Sequence, residues 1–302
     1  MFGGAGFIGS HFVDLALASG DFTEILVLDK LTYAGSLGNL ASALSSSRVK
    51  FIAVDLRDRQ SYTSLLSGVD VVVNFAAESH VDRSLLAPQL FAEVNAMGAC
   101  TLASVCLEQR VGLYLYISTD EVYGPTLTGE SDENSITVPT SPYSASKAAG
   151  ESLVMAFWRT FGLPVIVTRG CNTYGPRQFP EKLIPLAIRN FLTNTPVPMY
   201  GSGNQIREWI YVTDHANAIL RLIHAGVPGE IYNIGSGVRL ENRTLLRSIA
   251  KTLDANPELI SSVEDRLGHD FRYAIDSMKL RRHTGWVCEY SMEEALTLCR
   301  SW

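Results

Sequence analysis

The sequence predicts a doubly wound parallel α/β sheet followed by a smaller, mixed α/β lobe. Three observations predict it. Short β-branched runs, nearly all apolar, alternate with longer helical patterns, as when helices cover both faces of parallel strands. A glycine-spaced turn stands at the start of the chain. After Arg169 the texture changes: Pro and Gly become frequent, strands become scarce, and no clear linker intervenes.

The elements follow in order. The run "FGGAGFIGS" spaces Gly3, Gly6 and Gly9 as G-x-x-G-x-x-G ahead of an apolar helix pattern. Only Met1 and Phe2 precede it, so the central strand that such a turn follows is expected to be missing, through truncation or a misplaced start. "EILVLD" (Glu24–Asp29), "KFIAVD" (Lys50–Asp55), "VDVVVNFA" (Val69–Ala76), "LYLYIS" (Leu113–Ser118) and "VIVTR" (Val165–Arg169) read as strands. The segment from Pro88 to about Arg110 reads as a long helix with Pro in its first turn. A second runs from about Pro142 to Phe161. We expect a dinucleotide-binding region over residues 1–169 and a second lobe over 170–302, with an interleaved boundary. There is no internal repeat and no low-complexity segment.

Composition narrows the function. With 302 residues, 46% of them apolar, the chain can bury a large core in one big domain or two unequal ones. A net charge of -6 and the lack of a long basic run argue against nucleic-acid binding through a charged patch. Cys100, Cys106, Cys171, Cys288 and Cys299 show no metal-ligand spacing. They read as reduced thiols in a cytosol, and no metal is expected. No apolar run is read as spanning a bilayer, and no signal-peptide pattern is visible.

Three motifs carry chemistry. Glycines at this spacing allow a tight turn and close approach of backbone to a pyrophosphate, with a helix N-terminus facing the charge. Asp29 closes the next strand, where an acid can hold an adenosine ribose hydroxyl and repel a 2′-phosphate, favouring NAD over NADP. The bland alternative for Asp29 is a turn or helix cap. In "PYSASKAAGE", Tyr143 and Lys147 stand at i and i+4 and share a helix face. An ammonium there favours the phenolate, which can take a proton from a sugar hydroxyl while hydride leaves for a nicotinamide. The bland alternative is an exposed helical pair. In "YISTDEVYG", Asp120 and Glu121 follow Ser118 and Thr119 at a strand end. Adjacent side chains of a strand face opposite ways, so both acids reach one ligand only if the strand has ended. The alternative is a solvated acidic turn.

Taken together, these residues resemble the extended short-chain dehydrogenase/reductase superfamily. Several runs further resemble the dTDP-glucose 4,6-dehydratases: "LDKLTYAGSLGNL", "AAESHVDRS", "ISTDEVYG", "SPYSASKAAGE", "YGPRQFPEKLIP", "IREWIYVTDHA", "YNIGSG" and "DRLGHDFRYAID". They reach from Gly3 to about Trp286. The resemblance implies a Rossmann-type domain with a sugar-nucleotide lobe, tightly bound NAD and a homodimer; composition adds the expectation of a cytoplasmic protein with no membrane or nucleic-acid partner. It implies that Tyr143 takes the C4 hydroxyl proton, Thr119 orients that oxygen, Glu121 removes the C5 proton and Asp120 protonates the departing C6 hydroxyl. Environments that push two carboxylate pKa values apart supply one acid and one base.

The same resemblance assigns binding roles. Phe7 and Ile8 lie in the glycine turn. Asp29, Lys30, Leu31 and Thr32 would meet the adenosine ribose, Asp55 and Leu56 the adenine. Ala76, Ala77 and Ser79 would flank the cofactor, with Ser79 and Thr119 also facing substrate. Asn172, Glu181, Lys182, Leu183 and Arg207 would contact the nucleotide sugar, with Asn242, Arg266, His269 and Tyr273 nearby. A guanidinium such as that of Arg207 can fork onto a diphosphate. His80 and His269 are read as more often structural than catalytic, and Trp209 and Tyr211 as core. Two departures from the family pattern are Thr173 in place of a second Asn, and Leu267 in place of Pro. The alternatives to a dehydratase are an NAD-dependent sugar-nucleotide epimerase or decarboxylase, which typically lacks the adjacent Asp-Glu, and a non-enzymatic NAD-binding relic.

Overall fold

The structure is a computed structural model and describes residues 1–265 and 270–300. Arg266, Leu267 and His269 lie outside the described residues. The first strands are β1 (Ile25–Asp29), β2 (Val49–Ala53), β3 (Val71–Asn74), β4 (Leu113–Thr119) and β5 (Val165–Gly170). Then come β6 (Asn172–Tyr174), β7 (Val197–Tyr200), β8 (Ile206–Tyr211), β9 (Ile231–Ile234), β10 (Arg239–Glu241) and β11 (Ile260–Val263).

The main sheet runs β2-β1, then β3-β4-β5-β9, with every pair parallel. Phe2 joins the two parts, bridging Leu28 on one side and Asn74 on the other. Its N–H donates to the Val73 carbonyl at 2.9 Å, and its carbonyl accepts from Phe75 at 2.9 Å. Met1 and Phe2 therefore stand where the missing central strand was expected, and Phe2 is fully buried there.

Helices Phe7–Ser19 and Val212–Ala225 cover one face of this sheet, burying Phe12, Val13, Ile219 and Leu222. The long helices bury Leu102, Val105, Val154 and Met155 on the other face. The helix Val212–Ala225 and strand β9 come from beyond residue 170 and pack back onto the first sheet. The helix Pro142–Phe161 has the predicted bounds. Ser141 caps its start with a reciprocal bond to Ser144, Pro142 opens it, and Gly162 ends it in the left-handed region at φ 72°.

Two readings need correction. The second lobe holds more strands than its texture suggested. Strands β10-β8-β6 and β11-β7 form two small sheets there. Each has only three to six residues, too short for an alternating pattern to register. The helix Pro88–Glu108 is, by length and composition, apolar enough to cross a membrane. Half of it is buried inside the molecule, as for a core helix.

Within that helix, Ala92–Gly98 is π-helical. It carries Asn95, which is almost fully buried. Asn95 grips both backbone groups of Glu78 at 2.9 Å and reaches Ser146 Oγ at 2.9 Å. Its carbonyl accepts from Tyr116 Oη at 3.0 Å. The segment thus ties the loop after β3 to the helix Pro142–Phe161. A buried ion pair fastens that helix to β5: Arg169 Nη2 donates to Glu151 Oε2 at 2.7 Å.

Candidate active site

A cavity of about 560 Å³ opens at the C-terminal ends of the main-sheet strands and extends into the second lobe. Among the described residues, every predicted site residue lines it except Leu31 and Tyr273. Leu31 adopts φ 55° and offers its N–H to Asp29. Tyr273 lies beneath Arg207, whose guanidinium carbon is 4.5 Å from its ring centroid.

The glycine turn is built to bring backbone close. Gly3 has φ 72°, and a Cβ on it would meet Ala76 N at 2.5 Å. A Cβ on Gly9 would fall 2.3 Å from the Gly3 carbonyl oxygen. No side chain caps the helix Phe7–Ser19, so its first N–H groups stay free of side-chain acceptors at the turn. Asp29 does two things here. Its Oδ2 accepts from Ala5 N at 3.0 Å and its Oδ1 from Leu31 N at 2.8 Å. The carboxylate thus ties the glycine turn, as the cap alternative expected, and also lines the cavity. Asp55 is committed to cations: Lys30 Nζ lies at 2.7 Å and Arg57 Nη2 at 2.8 Å. Its hydrogen bonds with Arg57 and Lys30 hold the carboxyl well below the usual carboxylate range.

The candidate reactive groups cluster at the end of β4. Thr119 is its last residue, paired with Gly170 on β5. A 3₁₀ turn, Asp120–Tyr123, begins at once. The strand has therefore ended before the acids, as their joint use requires. In a 3₁₀ turn successive side chains diverge by about 120°, against about 180° in a strand. The Thr119 hydroxyl donates to Asp120 Oδ1 at 3.4 Å and accepts from Glu121 N at 3.3 Å. Asp120 is buried, and its Oδ2 has no partner. Burial first, then the charges of Glu121 and Glu208, push its carboxyl well above the usual range.

Tyr143 and Lys147 both face this point from the helix Pro142–Phe161. The expected tuning of Tyr143 is not what the geometry gives. Burial, and then Glu121, hold its phenol well above the ordinary value, although its hydrogen bond with Thr119 pulls the other way. Lys147 donates to the Ile117 carbonyl at 2.7 Å, and its ammonium lies 4.3 Å from the Tyr116 ring centroid. Burial pushes Lys147 down to about 7. Desolvation is therefore the dominant influence on the Tyr143 phenol.

On the far wall, Arg207 donates to the carbonyls of Ile206 at 2.9 Å and Asp270 at 2.8 Å. Glu181 accepts from Tyr33 Oη, and Lys182 donates to the Ser79 carbonyl, both at 2.8 Å. Thr173 Oγ1 is bonded to His215 Nδ1 at 2.7 Å. His215 is buried and pushed down to about 4 by burial alone, so the imidazole is neutral. Sequence reasoning missed His215, Tyr33 and the Asn95 clamp. His215 lies inside the quoted run "IREWIYVTDHA", but only the fold brings it to Thr173.

Residues 1–235 match the NAD dependent epimerase/dehydratase family. The chain belongs to this family. Family members similar to it include the dTDP-glucose 4,6-dehydratase of Streptomyces niveus, 43% identical over 99% of this chain and 90% of that protein. Another similar protein is the low-salt glycan biosynthesis protein Agl12 of Haloferax volcanii, 45% identical over 98% of this chain and 95% of its own. Among solved structures, DesIV, a dTDP-glucose 4,6-dehydratase from Streptomyces venezuelae with NAD bound, superposes with a TM-score of 0.98. It is 44% identical and is matched over 100% of this chain and 95% of that one.

Proposed function

We propose that the chain dehydrates a nucleoside-diphosphate glucose, dTDP-glucose being the reading its relatives favour, to the 4-keto-6-deoxy sugar nucleotide with NAD as cofactor. The observation that carries this is the joint placement of Asp120 and Glu121, just past Thr119, in one cavity with Tyr143 and Lys147. The glycine turn fits the cofactor, since Gly3 and Gly9 leave no room for a side chain where backbone must come close. When bound, NAD supplies a reversible hydride store between C4 and C6 of the sugar.

The chain's own residues do the rest. Tyr143 takes the C4 hydroxyl proton, and Thr119 orients that oxygen. The 4-ketone acidifies the C5 hydrogen, which Glu121 removes as base. Asp120, kept protonated by burial and by its neighbours' charge, protonates the C6 hydroxyl as it leaves as water. Arg207, Asn172, Glu181 and Lys182 hold the sugar nucleotide from the second lobe, so that residues 170–302 mainly serve substrate and 1–169 mainly serve cofactor. We read the protein as a cytoplasmic homodimer. Met97 and Phe161, each 59% exposed, sit on the two long helices and offer apolar surface to a second copy. Incubation with a panel of nucleoside-diphosphate glucoses, followed by mass spectrometry, should show loss of water from one of them. Loss from none, by NAD-loaded protein, would reject the proposal.

Asp29 gives a second test. Asp29→Asn removes the charge that repels a 2′-phosphate, and because its amide nitrogen cannot accept, it also gives up one of the two ties to Ala5 N and Leu31 N. Calorimetry should show NAD binding weakened by about tenfold, one lost charge-assisted bond, and discrimination against NADP reduced. Unchanged affinities for both dinucleotides would leave Asp29 as a tie for the glycine turn and nothing more.

A further inference from the structure

The two walls of the cavity are joined at its solvent-exposed rim. Tyr33 Oη donates to Glu181 Oε1 at 2.8 Å, Lys182 Nζ to the Ser79 carbonyl at 2.8 Å, and Tyr200 Oη to Asp82 Oδ2 at 3.3 Å. Each contact links a residue from the segments that follow β1 or β3 to one more than 100 positions later. Tyr33 is the most fully gripped of them. The Arg83 guanidinium stacks 3.7 Å from its ring centroid, and Phe179 packs edge-on with centroids 5.1 Å apart. Tyr33 itself does not line the cavity, whereas Glu181 and Phe179 do. Its ring sits outside and its hydroxyl reaches across.

We propose that Tyr33, hydrogen-bonded to Glu181 and held between Arg83 and Phe179, is a clasp that keeps the dinucleotide in the cavity through the reaction cycle. The inference rests on the proposed function, which supplies the reason. A hydrogen removed from the sugar must return to the same sugar, so release of the reduced cofactor midway would strand a ketone. A reaction that leaves its cofactor unchanged has no need to exchange it between turnovers. The contacts suit that task. They are polar, exposed and individually weak, so together they slow opening without forbidding it. Burial and the Glu181 carboxylate both hold the Tyr33 phenol well above its ordinary value, so it remains a donor at neutral pH.

The test is the rate of cofactor release. Purified protein is loaded with radiolabelled NAD and chased with excess unlabelled NAD. Tyr33→Phe keeps the ring and its stacking but loses the bond to Glu181, and should release NAD about threefold faster. Tyr33→Ala loses the bond, the stack and the edge contact, and should release it about tenfold faster or more. Tyr33 is 36% exposed, so neither change opens a core cavity. Release from Tyr33→Ala at the wild-type rate overturns the clasp and leaves the proposed function standing. A wild-type protein that takes up no NAD overturns the proposed function, and the clasp with it.

Discussion

Tyr143→Phe should suppress NADH formation in a single turnover by about 10²–10⁴-fold, the usual cost of losing a general base. The substitution is conservative in space. Tyr143 is buried and packs edge-on against Phe91, with ring centroids 6.3 Å apart, so a Phe ring keeps the packing and only the hydroxyl goes. The phenol is held high by burial and by Glu121, so its service as a base depends on nearby positive charge. Lys147 is the cation on the same helix face, and burial has brought it to about 7. Lys147→Met removes that charge, which raises the phenol further and lowers the phenolate fraction at any given pH. The profile of NADH formation should therefore move to higher pH. Normal NADH formation by the Phe variant would contradict the role.

The acid pair should divide the reaction. Glu121→Gln and Asp120→Asn should both still bind NAD and nucleotide and still oxidise C4, because neither carboxylate acts in that step. Glu121→Gln lacks the base, so deuterium at C5 should not wash out into water. Asp120→Asn keeps the base, so C5 exchange continues while dehydration slows by about 10²–10⁴-fold. The sign of the pH dependence follows from Asp120. A proton donor held above its ordinary value loses its proton as pH rises. Dehydration should fall on the alkaline side, and Asp120→Asn should flatten that limb. The charge of Glu121 acts on Asp120, so the limb is not assigned to one residue alone. NADH absorbance and C5 exchange, followed together, read the division. Wild-type dehydration by both variants would place the acids outside the chemistry and favour an epimerase or decarboxylase reading.

The sequence made the skeleton of this site legible because its signals are local. Pro142, Ser141 and Gly162 bound the helix that carries Tyr143 and Lys147 by capping chemistry that needs no tertiary knowledge. The i, i+4 spacing of Tyr143 and Lys147 survives as a shared wall of the cavity. The commitments of the side chains were not legible, because their partners are distant. Asp55 is occupied by Lys30 and Arg57, and Arg207 by backbone carbonyls around Asp270. Tyr33 meets Glu181 across 148 positions. The direction in which Tyr143 is tuned was also hidden, since spacing reports proximity and says nothing of desolvation. Leu31 follows from the same limit: it was grouped with its neighbours, but it has a positive φ and does not line the cavity.

The π-helical segment Ala92–Gly98 changes what a difference between related sequences would mean. A π turn holds one residue more than an α turn over the same hydrogen-bonded loop. Taking one residue out of the segment would restore α geometry and leave the two flanking halves near their present phase, so the change would fall on the side chains within the segment. Asn95 would then swing away from Glu78 and Ser146, although every residue type remained. Chain length acts here as a setting of angle. In this stretch an alignment gap carries more structural information than a mismatch.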